Sequence, residues 1–274
     1  MALGEPLPGL GEILESIGAG GSRIATIDAG EGAAGNISVC LGWPIEIRRH
    51  FPNREPIALP VPAPHLAGHT VIVTGSGRRL RDIAAGPAAN LGVVTIGADG
   101  IDATLWTAPG RLFERLTSEW NSHLGVHEDT VARTGTNFHA VVHAQPPHLV
   151  YLSHVPAYHD ETYFNRRLLR WEPETIVNLP AGVGVLPFMV PGSETLMAAN
   201  VESLRSHRIV LWGKHGVMAR SDISVTRAVD RIEYAETAAR YEYMDLAVGG
   251  RAEGLTIEEM RSVVIAFDVR TTVV

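Results

Sequence analysis

A layered α/β or α+β domain is the fold class that the 274-residue sequence predicts, and three observations predict it. Strand-like and helix-like segments alternate along the whole length instead of separating into all-α and all-β halves. Hydrophobic residues make up 45% of the chain and charged residues 19%, which is enough apolar material for a sizeable core. No internal repeat or low-complexity block divides it, so residues 1–274 read as a single domain.

Taken in order, "LGEILESIG" carries leucine and isoleucine at helical spacing and runs into "GAGG", whose glycines predict the helix stop. Asn36 then leads through a glycine turn into Ile37, Val39 and Leu41, an alternating strand. The proline-rich "FPNREPIALPVPAPHLAGH" reads as a long loop inside the domain. "TVIVTGSGRRLRD" is a β-branched strand that stops at Gly75-Ser76-Gly77, and "NLGVVTIGADG" with "ATLWTAPG" forms a strand pair joined near a D-G turn. Leu112, Leu116, Trp120 and Leu124 stand in an i, i+4 row, predicting an amphipathic helix that carries Glu119 beside the row. "NFHAVVHAQ" is a strand. "HLVYLSHV", "ETYFNRRLLRW" and "SETLMAANVESLRSH" are helices, with strands at "TIVNLP" and "RIVLWGKHG". A long helix from about Val225 to Leu246 and a last one in "TIEEMRSVVIAF" complete the reading.

Charge narrows the function classes. The 30 acidic residues outnumber the 23 basic ones, for a formal charge of -7, so there is no basic footprint for nucleic acid, and "RRH" and "RRLR" read as solvated faces or a local anion site. The single cysteine, Cys40, excludes an internal disulfide. No apolar run is long enough for a membrane span and no secretory leader is visible, so a soluble cytoplasmic protein is the expectation. The compositional oddity is the presence of twelve histidines.

Side chains alternate faces along a strand, so His139, Val141, His143 and Gln145 share one face. At a rise of roughly 3.3 Å per residue, His139 and His143 stand about 13 Å apart, too far for one metal ion, while positions 143 and 145 stand about 6.6 Å apart and are within reach of one. The residues alone leave two readings of His143, a metal ligand or a buried hydrogen-bonded histidine. Gln145 offers only a neutral amide oxygen where zinc takes histidine, cysteine or carboxylate. His215, between Gly213 and Gly216, projects from a strand end, and Glu119 is either an ordinary surface glutamate or an acid held for a purpose. "TGSGR" follows a strand directly and can offer backbone N–H groups, the Ser76 hydroxyl and Arg78 to an anion, although no Walker or dinucleotide fingerprint is present.

In order, "GNIS", "VIVTGSGR", "PAANLGVV", "TSE", "VVHAQ", "GVGVLPFMVPG" and "LWGKHGV" resemble the class II aldolase and adducin family, from about Gly35 to the last helices. The resemblance implies a three-layer α/β fold with a central, mainly antiparallel sheet flanked by helices, assembled as a homotetramer with active sites between neighbouring subunits. It implies a metal-dependent lyase that cleaves a ketose 1-phosphate by a reversible retro-aldol reaction. The metal would be zinc (Zn2+), or manganese or magnesium (Mn2+, Mg2+) if the ligand set is poor in nitrogen.

Residue by residue, the family's metal-binding histidines fall on His143, Gln145 and His215, so the second of them is replaced. The glutamate that serves metal and proton transfer falls on Glu119. Phosphate contacts fall on Ser76, Gly77, Ser118 and Asn36, and Glu174 matches a glutamate that reaches a neighbouring subunit's site. The relatives' glycine turn also carries an asparagine where Ala33 stands here. Three ways to accommodate Gln145 are open: its amide oxygen completes the site, His148 swings in as an imidazole, or a harder metal is used. An aldolase or epimerase on another sugar, and a non-catalytic adducin-like assembly protein, are the rival readings.

Overall fold

A computed structural model describes residues 2–274. Helix α1 (Leu10–Thr26) is followed by strands β1 (Asn36–Leu41), β2 (Asn53–Ala58) and β3 (Thr70–Thr74). A single turn of helix, α2 (Pro87–Asn90), precedes the hairpin β4 (Leu91–Ile96) and β5 (Asp102–Thr107). Next come α3 (Trp120–Thr134), β6 (Phe138–Ala144), α4 (Pro147–Leu152), α5 (Glu161–Leu169), α6 (Pro173–Asn178) and β7 (Gly184–Leu186). The chain continues with α7 (Glu194–Ser206), β8 (Ile209–Trp212), β9 (Gly216–Ser221), α8 (Val225–Ala247) and α9 (Ile257–Ala266). The strands form one sheet in the order β2-β5-β4-β3-β1-β6-β9-β8-β7, antiparallel throughout except for the pair β7 and β8. The mainly antiparallel sheet flanked by helices is the architecture the sequence predicts.

Period-two alternation divides the core between the two faces of the sheet. Ile37, Val39 and Leu41 of β1 and Phe138, Ala140, Val142 and Ala144 of β6 pack with α1 and α8. On the opposite face, Cys40, Val71, Val73 and Val94 lie with Trp120, Leu124 and Val131 of α3. Val141, Val210, Trp212 and Met218 meet Leu196 and Leu204 of α7 on that same face. No described helix is long and apolar enough to cross a membrane.

Four expectations are corrected. First, α1 does not stop at "GAGG" but runs on to Thr26, because these glycines are sites of close approach. A Cβ at Gly18 would stand 2.8 Å from the Ala84 Cα and one at Gly20 2.8 Å from Val225, while one at Gly21 would fall on the carbonyl oxygen of Leu80. Helix propensity and packing therefore oppose each other at Gly21. Gly21→Ala is expected to lower stability by about 1–3 kcal/mol, because overpacking against a backbone atom outweighs alanine's advantage of about 1 kcal/mol. Denaturant unfolding checks this, and a raised midpoint would mean that the turn at Leu80 yields.

Second, the supposed long loop contains β2, an edge strand paired only with β5. An edge tolerates Pro56, and its exposure removes the apolar alternation that announces a strand. Third, "TIVNLP" belongs mostly to α6, a helix begun by Pro173, where the missing N–H is harmless. Fourth, the row Leu112, Leu116, Trp120 is not helical, and α3 begins only at Trp120 with Glu119 as its N-cap. Residues before it run beside β3 instead, with Leu116 bridged to Gly75, and Leu112 is exposed. A Cβ at Gly75 would collide with the Phe113 ring, so this glycine admits the segment.

Candidate active site

The register places Asn36 of β1 directly opposite His143 of β6, with Ser38 opposite Val141 and Cys40 opposite His139. The even-numbered β1 residues and the odd-numbered β6 residues face α3, so the sheet itself puts an amide beside an imidazole under the start of that helix. The sheet departs from the expected strand by one residue: β6 ends at Ala144, and Gln145 stands just beyond it. The Gln145 N–H is anchored on the Ala29 carbonyl at 2.8 Å.

Glu119, only 4% exposed, closes the site from above. Its Oε2 accepts from Asn36 Nδ2 at 3.1 Å and lies 3.4 Å from His143 Nε2, while Oε1 lies 3.4 Å from His215 Nε2. His143 donates from Nδ1 to the Val217 carbonyl at 2.9 Å, which turns Nε2 toward the glutamate. Its ring stacks on Trp212, with centroids 4.7 Å apart.

His215 lies in the three-residue turn between β8 and β9, where Trp212 pairs with Gly216 and Lys214 takes left-handed backbone at φ 61°. A Cβ at Gly216 would stand 2.9 Å from Cε1 of His143 and 3.1 Å from Cγ of Gln145, so glycine lets the turn lie against both. The rings of His143 and His215 are 5.0 Å apart. Burial holds His215 below the usual imidazole value and His143 adds to the effect, against the pull of Glu119, so the neutral form that binds metal is favoured.

These three residues fit a divalent ion. Among the described residues Glu119, His143 and His215 each offer a ligand atom, and those atoms lie within 4.8 Å of one another. Two ligands about 2.1 Å from one zinc ion at a tetrahedral angle stand about 3.4 Å apart, which is the spacing between the glutamate oxygens and the two imidazoles.

The same residues open onto a cleft of about 190 Å³. Ser76, Gly77 and Arg78 form one wall, Thr117, Ser118 and Pro191 another, and Ala33, Asn36 and Gln145 complete it. Backbone bonds join the first two walls: Ser76 N–H donates to the Arg115 carbonyl at 2.8 Å, and Thr117 N–H to the Thr74 carbonyl at 3.1 Å. Gly77 takes φ +71°, a conformation that suits glycine. Arg78 is held by bonds from Nε to Asn90 Oδ1 at 2.8 Å and from Nη1 to the Leu112 carbonyl at 3.1 Å.

The structure thus brings Glu119, His143, His215, Gln145, Ser76, Gly77, Ser118 and Asn36 together, and it separates two residues from them. His148 Nδ1 meets Glu236 Oε1 at 2.6 Å at the start of α4, so the ring is engaged away from the cleft. Glu174 is exposed in the first turn of α6 and does not line the cleft. His139 is likewise distant from His143's ligand nitrogen, its Nδ1 meeting His127 Nδ1 at 2.8 Å. Sequence reasoning missed the bond from Asn36 to Glu119 and a group of buried histidines behind it, although His123 and His127 stand at i, i+4 on α3.

Residues 17–243 match the sequence model of a family described as Class II Aldolase and Adducin N-terminal domain. The rhamnulose-1-phosphate aldolase of Klebsiella pneumoniae (strain 342) is 35% identical over 216 residues, 78% of this chain and 76% of that protein. The rhamnulose-1-phosphate aldolase of Escherichia fergusonii is 35% identical over 206 residues, 74% of this chain and 73% of that protein. A sugar-phosphate aldolase from Thermotoga maritima superposes with a TM-score of 0.74 at 25% identity, covering 89% of this chain and 98% of that one. The fold is shared with an L-fuculose-1-phosphate aldolase from Thermus thermophilus, TM-score 0.55 at 19% identity, covering 89% of this chain and 100% of that one.

Proposed function

Because the chain belongs to the class II aldolase and adducin family, we propose that it is a metal-dependent aldolase cleaving rhamnulose 1-phosphate to glycerone phosphate and lactaldehyde. The observation that carries this reading is the convergence of Glu119, His143 and His215 within ligand distance at the end of a cleft lined with hydroxyls and glycine. His143 and His215, with the Glu119 carboxylate, would hold a divalent ion, zinc first and manganese or magnesium as the harder choices. The bound ion supplies a Lewis acid that polarises the ketose carbonyl and offsets the negative charge that develops on cleavage.

The chain's own groups do the rest. Cleavage breaks the C3–C4 bond: the Glu119 carboxylate takes the C4 hydroxyl proton as C4 leaves as the aldehyde, and it returns that proton to C3 to complete glycerone phosphate. Asn36 restrains the carboxylate for that transfer through its bond to Oε2. The hydroxyls of Ser76 and Ser118 and the backbone at Gly77 receive the phosphate, beside the charge of Arg78. Glu174, exposed on α6, serves the cleft of a neighbouring subunit in a homotetramer. Gln145 supplies its amide oxygen to the metal side of the cleft in place of an imidazole.

Metal analysis of the purified protein together with a retro-aldol assay tests this. About one divalent ion per chain and cleavage abolished by chelator are expected; no bound metal and no cleavage of any ketose phosphate would remove the reading. Gln145→His is expected to tighten zinc binding by at least about tenfold, the change that 1.4 kcal/mol produces. Unchanged affinity would mean that position 145 does not face the ion. One observation favours a second reading, an aldolase or epimerase acting on another sugar: Ala33 lines the cleft and offers no polar group to a phosphate. Comparing turnover of phosphorylated and free ketoses separates the two.

A further inference from the structure

Polar contacts behind Glu119 continue past Asn36 into the interior. Asn36 Oδ1 meets Nε2 of His123 in a short hydrogen bond. Nδ1 of His123 meets Ser38 Oγ at 2.6 Å, and the same oxygen meets Nε2 of His127 at 2.7 Å. Nδ1 of His127 then meets Nδ1 of His139 at 2.8 Å. Ser38 and the three histidines are fully buried, and Asn36 and Glu119 nearly so.

With every imidazole neutral, Glu119 fixes the direction of every bond in this row. A carboxylate only accepts, so Asn36 turns its NH2 group toward Glu119 and presents Oδ1 to His123. His123 must donate from Nε2, which leaves Nδ1 as a lone pair that accepts the Ser38 hydroxyl. The Ser38 oxygen in turn accepts from Nε2–H of His127. His127 then has its lone pair on Nδ1, where it accepts from Nδ1–H of His139. The last nitrogen, His139 Nε2, meets no polar protein atom and carries a lone pair, which is cheaper to bury unpaired than an N–H.

Each imidazole is neutral in this arrangement, and the surroundings agree. Burial first, and neighbouring imidazoles second, hold His123 and His139 well below the usual value, with Arg220 and Arg208 adding at His139. Burial, with His69, brings His127 to about 3.

We propose that His123, oriented by Ser38 and His127, is a positioning residue: its Nε2–H locks the Asn36 amide so that Nδ2 holds Oε2 of Glu119. A flipped Asn36 would turn its carbonyl oxygen against the carboxylate and release it from its tether. The proposal rests on the reading of Glu119 as the residue that carries the substrate proton.

Two measurements test it. The first needs no activity: long-range proton–nitrogen spectra of the wild-type protein with 15N-labelled imidazoles, recorded from pH 6 to 9. His123 and His127 are expected as Nε2–H tautomers and His139 as the Nδ1–H tautomer, all neutral across that range. A doubly protonated ring among the three, or His123 as the Nδ1–H tautomer, overturns the proposal.

The second is kinetic. His123→Leu is expected to lower kcat about tenfold, the scale of one lost buried hydrogen bond, with KM and bound metal unchanged. His123→Gln, whose amide N–H can reach Asn36, is expected to recover most of that loss. Equal losses in both variants, or a loss confined to KM, overturn the positioning role. If His123→Leu does not fold, the wild-type tautomers decide. If the wild-type protein cleaves no ketose phosphate, the aldolase reading falls by itself, and the spectra still decide the orientation of the row.

Discussion

Glu119→Gln is expected to lower the rate of aldol cleavage by roughly 10²–10⁴-fold, the span that a positioned acid–base group contributes. The size of the effect follows from position: among this chain's described residues lining the cleft Glu119 is the only carboxylate, the others being hydroxyls, amides, two imidazoles, Arg78 and apolar groups. Folding is expected to survive, because glutamine is nearly isosteric and its amide oxygen can accept from Asn36 Nδ2 where the carboxylate does. Loss should therefore appear in kcat with an unchanged unfolding midpoint. Steady-state kinetics beside a metal measurement checks this, and activity within tenfold of wild type would move proton transfer to another group.

The second large effect concerns acid. His123, His127 and His139 are fully buried and held below the unfolded value of about 6.5, His127 at about 3. Below pH 6.5 the unfolded chain therefore binds protons that the native chain refuses, so stability is full above that pH and falls as pH decreases toward the native values. Each such histidine costs up to about 1.4 kcal/mol per pH unit in that window, roughly 4 kcal/mol per unit for the three together. Against a total stability of about 5–15 kcal/mol, that is enough to unfold the protein before most carboxylates titrate. Urea unfolding of chelator-treated protein between pH 7.5 and 4.5 removes any contribution from a bound ion. A flat profile across that range would show the buried imidazoles to be charged in the native state.

What could be read from the sequence was what short-range pattern determines. In β1 and β6 one face is apolar throughout, Ile37, Val39 and Leu41 with Phe138, Ala140, Val142 and Ala144, so the shared opposite face of His139 and His143, and the distance that excludes His139 from the site, followed from the strand period. His215 between two glycines announced a turn that projects a side chain, and the structure has that turn. The motif resemblance supplied the rest of the constellation.

The misreadings share one cause, which is that distant contacts override a local signal. The i, i+4 row through Leu116 was genuine in spacing, yet Leu116 bridges to Gly75, 41 positions earlier in the chain. The glycines of α1 signalled a helix end by propensity, whereas their purpose is to admit Leu80, Ala84 and Val225. His123 and His127 had visible helical spacing, but their common partner Ser38 lies 85 residues away from His123 on a strand, and no local pattern links them.

The bonds that join Gly75-Ser76 to the stretch before Glu119 have one more consequence. Because Ser76 is tied to Arg115 and Thr117 to Thr74, the backbone that carries the hydroxyl assigned to the phosphate is bonded to the backbone that leads into the carboxylate assigned to the proton. The cleft then acts as a ruler whose two marks cannot slide apart. A ketose with its phosphate one carbon nearer to or farther from the carbonyl would satisfy one mark and miss the other, so the enzyme would select substrates by length before it reads their hydroxyl stereochemistry.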